Sequence, residues 1–238
     1  MQEQSETKAI RVPSYSYFFM HILLKWYAVH VMLVGAPFAV AIVLLEVLTH
    51  SGQTEFVAQN AMRIIFAAAI LSLLSIVFLG SVIEKRLATS PMIARRVAAQ
   101  ALAMRCIPGV ELVHASTRIR PAVRATAEHF NDNDADSVYA YGAALAAPLL
   151  VECQLDIKPN YSLMGVFRHL SAVLAVIEAQ EPGLSRQRAF EAVAARGCAF
   201  LRANTESIET VAGFLDVPGG TTLDAGEIEA IAPRGTAA

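Results

Sequence analysis

Charge is what this chain has least of. Only 17% of its 238 residues are Asp, Glu, Lys or Arg, against about 25% in an ordinary soluble domain. Apolar residues fill the gap at 55%, and the mean hydropathy is +0.47. Neither sign dominates the charge that remains. A net charge of −2 and a pI near 6.3 leave no basic excess for gripping a phosphate backbone, so nucleic acid is not expected as a partner. Cysteine is scarce as well. Cys106, Cys153 and Cys198 are odd in number and far apart, with no C-x-x-C pair, which argues against a disulfide framework and a zinc knuckle. They read as three reduced, buried, small apolar residues.

Catalytic signatures are missing too. His114, His129 and His169 are scattered without H-E-x-x-H spacing, and there is no G-x-S-x-G elbow or dinucleotide fingerprint behind a strand. PGGTT at 218–222 has no lysine after its glycines, so it is not a phosphate-binding loop. The expectation is a non-enzymatic chain without a cofactor.

Apolar length is what the chain has in abundance. Trp26–Leu45 and Ile64–Ile83 are each 20 residues without Asp, Glu, Lys or Arg. Such a run makes about 30 Å of helix, the thickness of a bilayer's hydrocarbon core. The second run is relieved only by Ser72, Ser75 and Ser81, where a core helix of a soluble domain would carry a polar stripe. The first is too long for a signal peptide, and EVLTHSGQTEF behind it has no Ala-x-Ala cleavage pattern, so it reads as a retained anchor.

Basic residues set the orientation. Lys8, Arg11 and Lys25 precede the first run, and Lys85, Arg86, Arg95, Arg96 and Arg105 follow the second. The 18-residue connection between them holds only Arg63 against Glu46 and Glu55. Positive charge stays on the cytoplasmic side, so both termini should be inside a bacterial-type inner membrane. Lys25, Trp26, Tyr27, Lys85 and Arg86 fall where the membrane interface is expected. Gly35-x-x-x-Ala39 and Ala68-x-x-x-Ser72 are small-residue pairs that would pack the two helices on each other or serve a homo-oligomer. Pro37 should kink the first helix or leave a carbonyl for a partner. His30 is the only side chain in either run whose ordinary pKa lies near neutral, too little for a proton path.

Beyond the second run the pattern is that of a compact all-α cytoplasmic domain of five or six helices. Ser90-Pro91 opens the first of them, which should end before Pro108-Gly109. Pro121 is expected to start a short one, AVRATAEHF, while Gly109–Ser116 reads as a short extended piece. Val138–Val151 has 14 residues without a charge, too short to span, and reads as a buried core helix with a re-entrant segment as the alternative. A further helix ends at Pro182-Gly183, and Ser185 should cap the next, which carries Phe190, Val193, Gly197 and Leu201 on one face. A last one runs over roughly 207–215. The organisation is thus a flexible start (1–14), a transmembrane hairpin (15–84, with spans near 22–46 and 63–84), a helical domain (85–217) and a flexible acidic tail (218–238).

HFNDNDADS, residues 129–137, places Asp132, Asp134 and Asp136 at alternate positions like a calcium loop. Counting from Asp132, however, the sixth position is Ser137 and the twelfth Ala143, where such a loop needs glycine and glutamate. The stretch reads as a capping turn, with Asp136 or Ser137 as the cap. Arg95, Arg96, Arg118, Arg120 and Arg124 are expected to form a basic face toward anionic lipid, an acidic partner or the acidic tail. Glu152, His169 and Glu178 are the polar groups set in apolar helices that a ligand pocket would use. The expected function is a membrane subunit that docks other proteins of an envelope assembly of the secretion or conjugation type. A membrane enzyme or ligand sensor with a pocket between the cytoplasmic helices is the alternative.

Overall fold

The computed structural model describes residues 13–87, 90–118, 121–154 and 163–233, with backbone only at 76–87, 90 and 154. The chain divides into two compact units, Leu23–Ala88 and the remainder.

The first unit holds most of α1 (Tyr15–His50) and α2 (Thr54–Leu87), joined through a turn at Gly52. Both helices are long and apolar enough to cross a membrane. Their mutual face is built from Leu33, Ala41, Ala68 and Ser72, all buried. The Ser72 hydroxyl lies 3.0 Å from the Val34 carbonyl of the other helix and 2.9 Å from the Ala68 carbonyl of its own. Ala68-x-x-x-Ser72 therefore packs within the pair. Gly35-x-x-x-Ala39 does not: both residues are exposed, and a Cβ on Gly35 would meet nothing within 4 Å. His30 is occupied locally, its Nδ1 2.8 Å from the Trp26 carbonyl one turn back.

The second unit is built around two alanine-rich helices, α3 (Ser90–Arg105) and α4 (Ala135–Gln154). Ala94, Ala98, Ala99 and Ala101 of α3 are fully buried, as are Ala146, Ala147, Leu149 and Leu150 of α4. Side chains that short let other elements approach from several directions. α4 is flanked by α5 (Met164–Gln180) and α6 (Arg186–Ala203), and α3 by α7 (Thr205–Leu215). The uncharged run Val138–Val151 is thus the core helix its length implied. Closeness is tightest where α4 meets α6: a Cβ on Gly197 would lie 2.6 Å from Leu150 Cδ1. The start of α1 also belongs to this unit, for Phe18 and Ile22 are fully buried, and Tyr15 stacks on Phe167 at 5.3 Å. The division accordingly falls after Ile22 and after Ala88.

The secondary structure of this unit departs from expectation in the sheet and in the tail. The domain is mainly helical but not all-α: β1 (Glu111–Ser116), β2 (Ala122–Thr126) and β3 (Thr222–Asp224) form an antiparallel sheet in the order β2-β1-β3. The stretch after Pro121 is therefore a strand and not a helix. Its alanines favour helix, but Val123 and Ala125 pair with Ala115 and Leu112 on the face toward α3, and that burial outweighs a propensity of a few tenths of a kcal/mol per residue. The tail, expected to be flexible, is packed as far as Pro233. It supplies β3 and α8 (Ala225–Ile231), buries Leu223, Ile228 and Ala232, and is fixed by an Asp224/Glu227 capping box. Residues 234–238 lie outside the described residues.

The loop that leaves α3 depends on Gly109, whose φ is +74° and whose Cβ position lies 2.2 Å from the His129 carbonyl oxygen. No side chain fits against a backbone atom at that range. Gly109→Ala should destabilise the helical unit by about 3 kcal/mol, from left-handed strain plus the clash. Chemical denaturation followed by circular dichroism would show this as a lowered midpoint, and an unchanged midpoint would contradict the loop geometry.

Candidate functional site

The five arginines expected to share a basic face are dispersed by the fold. Arg95 is paired on the surface with Glu209 of α7, Nε to Oε2 2.9 Å. Arg96, one residue on, points into the interior, where it pairs with Glu152 of α4. Arg118 and Arg124 are exposed around the sheet, and Arg124 stands beside His114 in the register of β1 and β2. Arg120 lies outside the described residues, as do the side chains of Lys85 and Arg86. Of the other residues expected at the membrane interface, Tyr27 is exposed and Trp26 rests its ring 4.1 Å from that of His30. The acidic tail does meet a basic residue, though a different one: Glu229 of α8 bonds Arg105 at 3.0 Å.

The aspartate loop resolves into a cap and a surface contact. Asp134 accepts hydrogen bonds from the Ser137 hydroxyl at 2.5 Å and the Ser137 N–H at 3.1 Å. The Ser137 hydroxyl is the main reason its carboxyl sits below the usual carboxylate range. Asp134, and not Asp136 or Ser137, is the residue that caps α4. Asp136 instead bonds Arg196 at 2.6 Å, whose guanidinium lies over the Tyr139 ring. Asp132 accepts from the Asn133 side-chain amide at 3.4 Å. The carboxylates of Asp134 and Asp136 are thus turned to different protein partners, and no grouping of three His, Cys, Asp or Glu suited to a metal occurs among the described residues.

Glu152, His169 and Glu178 do not converge. His169 is exposed on α5. Glu178 is half-buried and accepts two hydrogen bonds from Arg186, at 3.0 and 2.5 Å; that bonding holds the Arg186 guanidinium even more firmly protonated than usual. Glu152 is fully buried beside Arg96, which also approaches Met92 Sδ at 3.2 Å. An ion pair in an alanine-lined interior contributes little net stability, because desolvation offsets the attraction, yet losing one partner strands the other charge.

A cavity of about 570 Å³ opens where the C-terminal end of α3 meets the α6–α7 junction and the end of α8. Its walls include Leu102, Arg105, Cys106, Asn204, Ser207 and Pro233. Arg105 is nine-tenths buried and donates to Glu229 and, at 3.4 Å, to the Ile228 carbonyl. Its Nε is buried with no hydrogen-bond partner among the described residues. Cys106 is exposed, which corrects the expectation of three buried thiols. Cys198 does conform, while Cys153 is half-buried; burial, and then the nearby Cys198, push the Cys153 thiol up to about 12, and burial raises Cys198 as well. The sequence reading missed this cavity because its polar residues come from segments about 100 positions apart with no shared motif.

No family model matches the chain, and neither a curated protein nor a solved structure matches it.

Two predictions follow from these environments. Glu152→Ala should cost about 3–5 kcal/mol in denaturant titration, whereas the double change Arg96→Met with Glu152→Leu should recover most of that loss. Additive losses in the double variant would show that the pair is not coupled. In the folded protein at pH 8, a maleimide should modify Cys106 at least about a hundredfold faster than Cys153 or Cys198, since the thiolate is the nucleophile. Peptide mass spectrometry reads the order, and simultaneous labelling of all three would contradict the packing of α4 on α6.

Proposed function

We propose that the chain is an integral membrane subunit whose two long helices anchor a helical docking domain at the cytoplasmic face of a bacterial-type inner membrane. The observation that carries this reading is the outside of the two-helix unit. Met32, Val40, Ile42, Met62, Phe66 and Leu73 are each more than 60% exposed, along helices of 36 and 34 residues. A continuous apolar exterior of that length has no stable place in water, where patches of a few hundred Å² already mark interaction sites. Lipid matches it, because helices satisfy their own backbone hydrogen bonds.

The orientation rests on the lysines and arginines that flank the apolar runs, read by the positive-inside rule. The domain's architecture supports docking over turnover: buried Arg96 pairs with buried Glu152, and on the surface Arg95 pairs with Glu209 and Arg196 with Asp136. Other subunits of an envelope assembly are the partners this design suits, with anionic lipid beside them. A secretion or conjugation machine is the kind of assembly meant. The cavity beside Arg105 favours a second reading, in which the domain also senses a small ligand.

Topology and assembly test the first reading. The chain should resist carbonate extraction and leave the membrane only with detergent. A membrane-impermeant maleimide should label Cys106 in broken cells but not in intact spheroplasts, while a cysteine introduced at Gly52 should label from outside. In mild detergent the chain should migrate in a complex of fixed stoichiometry with other subunits. Release in the soluble fraction, labelling of Cys106 from outside, or a monodisperse monomer would each overturn the corresponding part.

A further inference from the structure

We infer that the free edge of β2 docks an extended segment of a partner protein, which adds a strand to the sheet and sets a carboxylate opposite Arg124. The inference rests on the docking proposal and names the place where docking occurs.

The edge itself is the first support. In the order β2-β1-β3, β2 is hydrogen-bonded on one side only. Every second residue of an antiparallel strand turns its N–H and C=O away from its neighbour. Among the described residues, no backbone or side-chain hydrogen bond is made to that outer side of β2. The strand also keeps contact with solvent along its length, for Ala122 and Arg124 are exposed and Val123, Ala125 and Thr126 half-buried. The opposite edge offers less, since β3 is three residues long and passes directly into α8. A five-residue run of unpaired edge is the template that strand addition uses.

Arg124 selects the occupant. It is exposed at the middle of β2 and makes no hydrogen bond or ion pair among the described residues. Arg95, Arg105, Arg186 and Arg196 on the helices, by contrast, all hold carboxylates. Across the strand pair Arg124 faces His114, not an acid. Two copies of this chain joined edge to edge by a twofold axis through the centre of β2 would set Arg124 against Arg124. Like charges directly opposite destabilise a strand pair, whereas a carboxylate there reverses the sign. An anionic bilayer would neutralise Arg124 too, but it has no alternating row of donors and acceptors to complete the ladder. The pleat fixes the rest of the pattern. Val123 and Ala125 pack at the rim of the core, and residues beside the incoming carboxylate fall on that same face, so they should be apolar. Glu111 and Glu128, exposed toward the far end of the strand, restrict the acid to one position.

The probe is a fluorescein-labelled peptide, Thr-Val-Glu-Val-Thr, titrated with the full chain in detergent and read by fluorescence anisotropy. It should bind saturably, and a peptide with lysine in place of the glutamate should bind about fivefold more weakly, as attraction gives way to repulsion. Two further copies, N-methylated at the valines or at the other three residues, each block one edge of the peptide, and one of them should lose binding. Deuterium exchange should slow across residues 122–126 when the glutamate peptide is bound. Arg124→Glu, a surface change that circular dichroism should show to leave the fold intact, should reverse the preference toward lysine. Equal binding of the two peptides, indifference to both N-methylated copies, or a preference that survives Arg124→Glu would overturn the site. Protection of 122–126 on concentrating the chain alone, or on transfer to phosphatidylglycerol nanodiscs, would also overturn it, in favour of a second copy or of lipid. The two readings fail separately. A fixed complex with other subunits that persists in Arg124→Glu overturns the edge alone, and absence of any complex overturns docking while the peptide titration still decides whether the edge accepts a strand.

Discussion

The helical unit depends on how closely α3 and α4 can lie to each other and to everything around them. Both are rich in alanine, and most of their buried alanines show essentially no accessible surface. A side chain that ends at Cβ contributes little apolar area by itself. What it gives is proximity, so that backbones approach and dispersion contacts multiply across several neighbours. With α5 and α6 against α4, and α7 and the sheet against α3, the larger residues Phe167, Leu170, Leu174, Phe190 and Leu201 fill the second layer. Gly197 extends the same logic to α6, where even a methyl group meets Leu150.

A core of that kind is slippery, since alanine faces fit one another in more than one register. The Arg96–Glu152 pair has a physical role here even though its net stabilisation is small. Two helices that slide by a turn can re-form an alanine contact, but they cannot slide a buried guanidinium away from its carboxylate without stranding both charges. Specificity, more than stability, is what an ion pair in this position supplies. The same argument explains why Arg96 points inward while its neighbour Arg95 bonds Glu209 on the surface.

Sequence was most informative where one segment carries its own signal. Ser90-Pro91 opens α3, Ser185 caps α6 by accepting from the Arg188 N–H, and Phe190, Val193, Gly197 and Leu201 fall together in the core. α8 had a legible signal as well, in Asp224-x-x-Glu227 ahead of Ile228, but glycines on either side made the whole stretch read as flexible. Where two distant segments decide the outcome, the sequence was silent. β2 is a strand only because β1 is beside it, Glu152 is tolerable only because Arg96 faces it, and the basic face dissolved because i and i+1 on a helix point in different directions. The Arg105 cavity is the extreme case, assembled from the ends of four helices.

α1 is longer than a single membrane crossing needs. At 1.5 Å per residue, 36 residues make about 54 Å of helix, well beyond the roughly 30 Å that a hydrocarbon core requires. The surplus is not idle. Tyr15 and Phe18, in its first turn, meet Phe167 and Phe190 of the helical unit with ring centroids 5.3 to 5.8 Å apart, and Ile22, one turn on along the same stripe, is fully buried. One apolar helix thus has two surroundings in succession: its start is buried in a protein core, and its remainder carries apolar side chains on an exposed outer surface. Hydropathy cannot separate these uses, because Phe and Ile read the same in either environment. Only the neighbours of Tyr15, Phe18 and Ile22 show where the core ends, and that boundary is a property of the fold and not of composition.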